Sequence, residues 1–189
     1  METSRGGETS SRLRRSVRWT IETTALVVIA FAVAMTVRAT VATGYEIPTP
    51  SMEPTIMVHD RILTEKLTPR FGSIEVGDVV VITDPTGGPI PFVKRVIALP
   101  GQTVDLKHGA VWVDGSRVTE PYTHGLPSEP ISVELPITVP PDQVWVMGDN
   151  RTNSSDSRFF GPVPMASIRA VAVCVYWPPQ HIGGLGGGD

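Results

Sequence analysis

The chain has 189 residues, with 16 Lys and Arg against 19 Asp and Glu and a formal net charge of −3. Its basic residues cluster only in the N-terminal tail, so nucleic-acid binding has little support. A single cysteine excludes an internal disulfide, and the four histidines, His59, His108, His124 and His181, show no metal-ligand spacing, so no metal or other cofactor is expected.

The first predicted element is a membrane helix. Thr23 to Val37 carries no charge, and reading back through Glu22 to Trp19 gives the roughly 20 residues that a spanning helix needs. Arg5, Arg12, Arg14, Arg15 and Arg18 precede it, and Arg38 is the only basic residue for a long stretch after it. By the positive-inside bias, residues 1–18 form a cytoplasmic basic tail, 19–38 a single-pass signal anchor, and the remainder lies outside the cytoplasm. A cleaved signal peptide is the other reading, with Thr40-Val41-Ala42 as the small-residue cleavage site.

Residues 39–182 read as one all-β domain of antiparallel strands, large enough for its own core. Strands are predicted over Arg61–Thr64, Val79–Thr83, Phe92–Ala98, Thr103–Leu106, Ala110–Val113, Val144–Gly148 and Ala170–Tyr176. Asp114-Gly115 predicts a tight hairpin turn before Arg117-Val118. The Pro-rich stretch from Pro121 to Pro141 lies within a small excursion from the main sheet, around 103–142. Cys174, in the run Ala170–Trp177, reads as a small core residue. The glycine-rich tail 183–189 is expected to be flexible.

Two short segments carry the chemistry. Ser51 sits in a turn bracketed by Pro50 and Pro54, and Lys94 sits inside the apolar run Phe92 to Leu99. A serine hydroxyl needs a base to take its proton. Lysine can serve if apolar burial lowers its pKa by roughly 3 to 5 units. On a strand Lys94 and Arg95 point to opposite faces, so one can face a dry site while the other reaches solvent or an acid. On residue type alone Lys94 also fits an exposed strand position, and His59 is the rival base.

Ile47-Pro48-Thr49-Pro50-Ser51-Met52-Glu53-Pro54-Thr55 resembles the nucleophile box of type I signal peptidases. Phe92-Val93-Lys94-Arg95 through Gly101 resembles their lysine box, and Gly148-Asp149-Asn150-Arg151 through Arg158 their third signature. The boxes occur in the family's order and span Tyr45 to Val163. The resemblance implies a membrane-anchored Ser/Lys endopeptidase that removes signal peptides from exported preproteins after small residues. Ser51 would be the nucleophile and Lys94 the general base. The Thr49 hydroxyl and the Ser51 N–H would form the oxyanion hole, and Ser154 would orient the lysine amine. Asp156 and Arg158 match a structural acid–base pair, and Asp149 and Arg151 would hold the same loop.

The family's substrate-pocket positions fall on Tyr45, Ile47, Met52, Ile56, Ile62, Val81, Phe92 and Val93, which read equally well as core packing. His59 stands where the family usually has glycine. The implied partners are signal peptides of secretory preproteins and the lipid bilayer of a plasma membrane, with no nucleic acid and a monomeric enzyme. Two alternatives stay open: a dedicated pilin or conjugation-type processing peptidase, and a non-enzymatic membrane-anchored β-domain adaptor.

Overall fold

The computed structural model describes residues 6–186 and divides the chain into a helical unit ending at Val41 and a β unit beginning at Ala42. Residues 1–5 of the basic tail and 187–189 of the glycine-rich tail lie outside the described residues.

The helical unit is one helix, α1 (Gly6–Thr40). Its segment Arg18–Val37 is 20 residues long with a mean hydropathy of 2.0, which is long and apolar enough to cross a membrane. None of that segment is buried by the rest of the protein. Leu26, Ile29, Phe31 and Val33 are all exposed.

The β unit is built on an antiparallel sheet of β1 (Ala42–Glu46), β2 (Arg61–Glu65), β11 (Ile168–Trp177), β3 (Val79–Ile82), β4 (Phe92–Ala98), β9 (Gln143–Met147) and β10 (Val163–Pro164), in that spatial order. An eighth strand, β12 (Gly183–Gly184), pairs with β11. All four residues of β3 are buried, because it lies between β11 and β4 with its two faces in different apolar clusters. Val79 and Val81 pack with Met52, Ile56 and Ile62. Val80 and Ile82 pack with Val96, Val144 and Val146.

Residues 103–138 form a second, four-stranded sheet in the order β7 (Ser116–Arg117), β6 (Ala110–Val113), β5 (Thr103–Lys107), β8 (Ile137–Thr138). It packs on Ile97, Trp145 and Met147 of the main sheet. Its hairpin turns at Asp114 and Gly115 with φ of 51° and 77°. Both angles are positive, as a type I′ turn needs.

One strand was not predicted and one expectation is corrected. Residues 42–46 pair with 61–65 along their full length. Ala42-Thr43-Gly44 has no apolar alternation, so only the partner strand reveals it. The tail is not flexible throughout: Gly183 and Gly184 pair with Val175 and Cys174, and Leu185 is buried in the cluster holding Met52 and Ile56. Burial of this one apolar side chain offsets the backbone entropy of the surrounding glycines.

Candidate active site

Ser51 is carried by a turn that other parts of the chain hold in place. After β1, Ile47 and Asp60 close a loop: the Ile47 N–H donates to the Asp60 carbonyl (2.9 Å), and the His59 N–H to the Ile47 carbonyl (2.8 Å). His59 closes it with φ of 68°, the left-handed conformation glycine supplies most readily, which histidine also tolerates. Inside the loop, Pro50–Met52 forms one 3₁₀ turn, anchored by the buried side chain of Met52. Asn150 fastens it from outside: its N–H donates to the Ser51 carbonyl and its Nδ2 to the Pro50 carbonyl, each at 3.1 Å.

Lys94 arrives from β4, where it pairs with Val80. Its Nζ lies 2.7 Å from Ser51 Oγ and 3.0 Å from the Val93 carbonyl. Lys94 is 3% exposed and Ser51 9%. Burial pulls the amine down from 10.5 to about 8, against the attraction of the Asp156 and Asp149 carboxylates and with help from the Arg158 cation. Near neutrality a useful fraction of the amine is therefore unprotonated and can accept the Ser51 hydroxyl proton. His59 has no part in this contact. Its side chain is 81% exposed and its ring faces Glu46.

The two residues open into a cleft of about 470 Å³. One wall is Ile47, Pro48, Thr49, Pro50 and Met52; the other is Pro89 to Val93 with Asp84; Asn153 and Ser155 close one side. Asp84 shapes the second wall by accepting from the Thr86 hydroxyl, the Thr86 N–H and the Gly88 N–H, and these bonds hold its carboxyl below the usual range. Thr49 stands exposed at the N-cap of the Ser51 turn, and its side chain makes no capping bond.

The expected pocket residues separate into three groups. Ile47, Met52, Phe92 and Val93 line the cleft. Ile56, Ile62 and Val81 are fully buried in the core behind it. Tyr45 packs against that core and lines a different cleft with Lys66, Arg70 and Arg169.

Ser154 is buried beside this centre, but its Oγ has no hydrogen-bond partner and does not reach the lysine amine. It sits against Gly148, where an added Cβ would meet Ser154 Oγ at 2.2 Å and the Ser51 carbonyl at 2.4 Å. Asp156 receives Arg158 through both oxygens (2.9 and 2.8 Å) and the Gly148 N–H at 3.0 Å. Asp149 is paired with Arg95, at 2.9 and 2.7 Å, rather than with Arg151. The acid that Arg95 reaches is thus a buried one. Arg151 turns instead to Glu120. Asn150, Glu120, Tyr122 and Ser128 were not singled out by their sequence context. Among the described residues no group of three or more His, Cys, Asp or Glu could hold a metal ion.

Residues 20–177 match the family of signal peptidases, peptidase S26. The chain belongs to that family. It is 39% identical over 169 residues to a probable signal peptidase I-1 of Synechocystis, covering 85% of this chain and 84% of that one. It is 38% identical to a signal peptidase I of Leptolyngbya laminosa (84% and 80% covered), and 35% identical to the signal peptidase I of Mycobacterium tuberculosis (84% and 72% covered). As a family member the chain is a serine peptidase, with its catalytic fold in the antiparallel sheet and an apolar helix ahead of it.

Proposed function

We propose that this protein removes signal peptides from exported preproteins, with Ser51 as nucleophile and Lys94 as its general base. The observation that carries the reading is the buried 2.7 Å contact between Lys94 Nζ and Ser51 Oγ. The neutral amine accepts the Oγ proton as Oγ attacks the carbonyl carbon after a small residue. The resulting ammonium then gives that proton to the leaving amine as the C–N bond breaks. Water repeats the sequence on the acyl-enzyme and regenerates Ser51.

Negative charge develops on the substrate carbonyl oxygen. A short 3₁₀ turn leaves its first N–H groups without an internal acceptor. The Ser51 N–H and the uncommitted Thr49 hydroxyl are therefore the donors for that oxygen, and one such donor is typically worth about 3 to 4 kcal/mol of barrier. Ser154, with an unpaired hydroxyl in the same buried region, would need to turn toward Lys94 to orient the amine.

Specificity follows from the cleft. Its wall segments 47–50 and 89–93 can pair with an extended peptide laid between them. Ile47, Met52, Phe92 and Val93 leave shallow apolar space that suits small side chains next to the scissile bond. Residues 19–38 anchor the enzyme in a plasma membrane with residues 1–18 cytoplasmic, and residues 39–182 work on the far side as a monomer.

The test is incubation of the detergent-solubilised full chain with a secretory preprotein, followed by N-terminal sequencing of the product. Cleavage after a small residue that vanishes in Ser51→Ala is expected. Equal cleavage by Ser51→Ala would overturn the assignment.

A further inference from the structure

The segment 120–133 lies outside the main sheet, yet it holds the Arg151 side chain and the Arg158 backbone carbonyl. Glu120 accepts from Arg151 through both carboxylate oxygens, at 2.6 and 3.0 Å, and Ser128 Oγ accepts from the same guanidinium. The Arg151 side chain is fully buried and that of Glu120 is 9% exposed. The Tyr122 hydroxyl donates to Glu120 at 3.1 Å, and its ring faces the Arg95 guanidinium at 4.1 Å and that of Arg151 at 5.8 Å. The Ser132 and Val133 N–H groups donate to the Arg158 carbonyl at 3.0 and 3.1 Å.

Arg151 passes this hold to the nucleophile. Its Nε donates to the Gly148 carbonyl at 3.0 Å. Gly148 is packed so closely on the Ser51 carbonyl that a side-chain carbon would not fit. Asn150, the neighbour of Arg151, donates to that same carbonyl.

We infer that Glu120, steadied by Tyr122, is a positioning residue for the peptidase reaction: it fixes Arg151, and through Arg151 it presses the 148–153 loop against the Ser51 turn. The inference rests on the reading of Ser51 and Lys94 as the reacting pair; no contact joins Glu120 or Tyr122 to either of them. A planar guanidinium held by both oxygens of a carboxylate has one geometry, whereas a single neutral acceptor leaves it free to turn. A fully buried cation that loses its counter-charge seeks another, and the nearby Asp149 is already committed to Arg95. Arg151 then pulls on Asp149 and Gly148, and the Asn150 contacts to Ser51 and Pro50 loosen. Small displacements of a nucleophile lower turnover more than they lower binding.

The experiment compares the full chain with Glu120→Gln and Tyr122→Phe in detergent, by preprotein-peptide kinetics and by amide hydrogen exchange. Glu120→Gln is expected to lower kcat about tenfold with KM within about twofold. The Asn150 and Arg151 amides should exchange faster while those of β3 do not change. Unchanged kcat with unchanged exchange would overturn the inference. So would a protection loss spread evenly over β3 and β4, which would make Glu120 a residue of general stability. If Glu120→Gln does not fold, Tyr122→Phe decides: faster Asn150 exchange supports the inference and unchanged exchange refutes it. An inactive wild type would refute the cleavage reading and leave the exchange measurement decisive.

Discussion

As the proposed base, Lys94 must be buried, and that burial costs stability. Its pKa is about 8 in the folded protein against 10.5 as the unperturbed value. The folded state therefore disfavours the ammonium at pH below about 8, the penalty shrinks as pH rises from 8 to 10.5, and it is gone above that. At pH 7 it amounts to about 3 kcal/mol. Lys94→Met is expected to be inactive yet more stable than the wild type at pH 7, by up to that amount, with the gain lost near pH 10.5. Urea denaturation at the two pH values checks this, and a less stable Lys94→Met at pH 7 would contradict it. For Thr49→Val, a fall in kcat with KM nearly unchanged is expected, since the hydroxyl meets a charge present only in the transition state. Steady-state kinetics decide, and an unchanged kcat removes Thr49 from the oxyanion hole.

Ser51 and Lys94 could be picked out as the candidate pair because short motifs surround each of them. The ion pairs around them could not. Arg95 meets Asp149 across 54 positions and Arg151 meets Glu120 across 31, and neither distance leaves a local trace. Glu120 reads as one more acid in a loop until its partner is placed beside it.

The strands with the strongest apolar signal came out within one or two residues of their predicted limits, β3 and β4 above all, because both are buried over most of their length. Elements held by one tertiary contact were missed or misread. β1 exists because β2 accepts it, and the 183–186 segment exists because Leu185 fills the Met52 cluster. Leu185→Ala should cost about 2 to 3 kcal/mol. Thermal unfolding measures it, and a melting temperature equal to the wild type's would mean the segment is not part of the core. Gly148→Ala tests the contact between the 148–153 loop and the Ser51 turn. A Cβ at 2.4 Å from the backbone oxygen of Ser51 forces the two segments apart, so turnover should fall at least about tenfold even in a folded protein. Full activity would show that the contact is dispensable.

At the scale of the molecule, one apolar helix and one β unit divide the work. The helix has the length and hydropathy of a membrane span. The β unit brings together Ser51 on its 3₁₀ turn and Lys94 on β4, over a sheet packed in three apolar clusters. Mass spectrometry of the membrane-extracted protein should find residues 19–38 retained; a mature N-terminus at Thr43 would make the helix a cleaved leader. The most direct test of the central claim is the pH dependence of kcat for preprotein cleavage in the wild type, His59→Ala and Lys94→Arg, with circular dichroism confirming the fold of each. Activity should rise through a midpoint near the Lys94 value of about 8 in the wild type and in His59→Ala, and be absent in Lys94→Arg, whose guanidinium cannot give up its proton. Activity retained in Lys94→Arg, or lost only in His59→Ala, would contradict the Ser51–Lys94 mechanism.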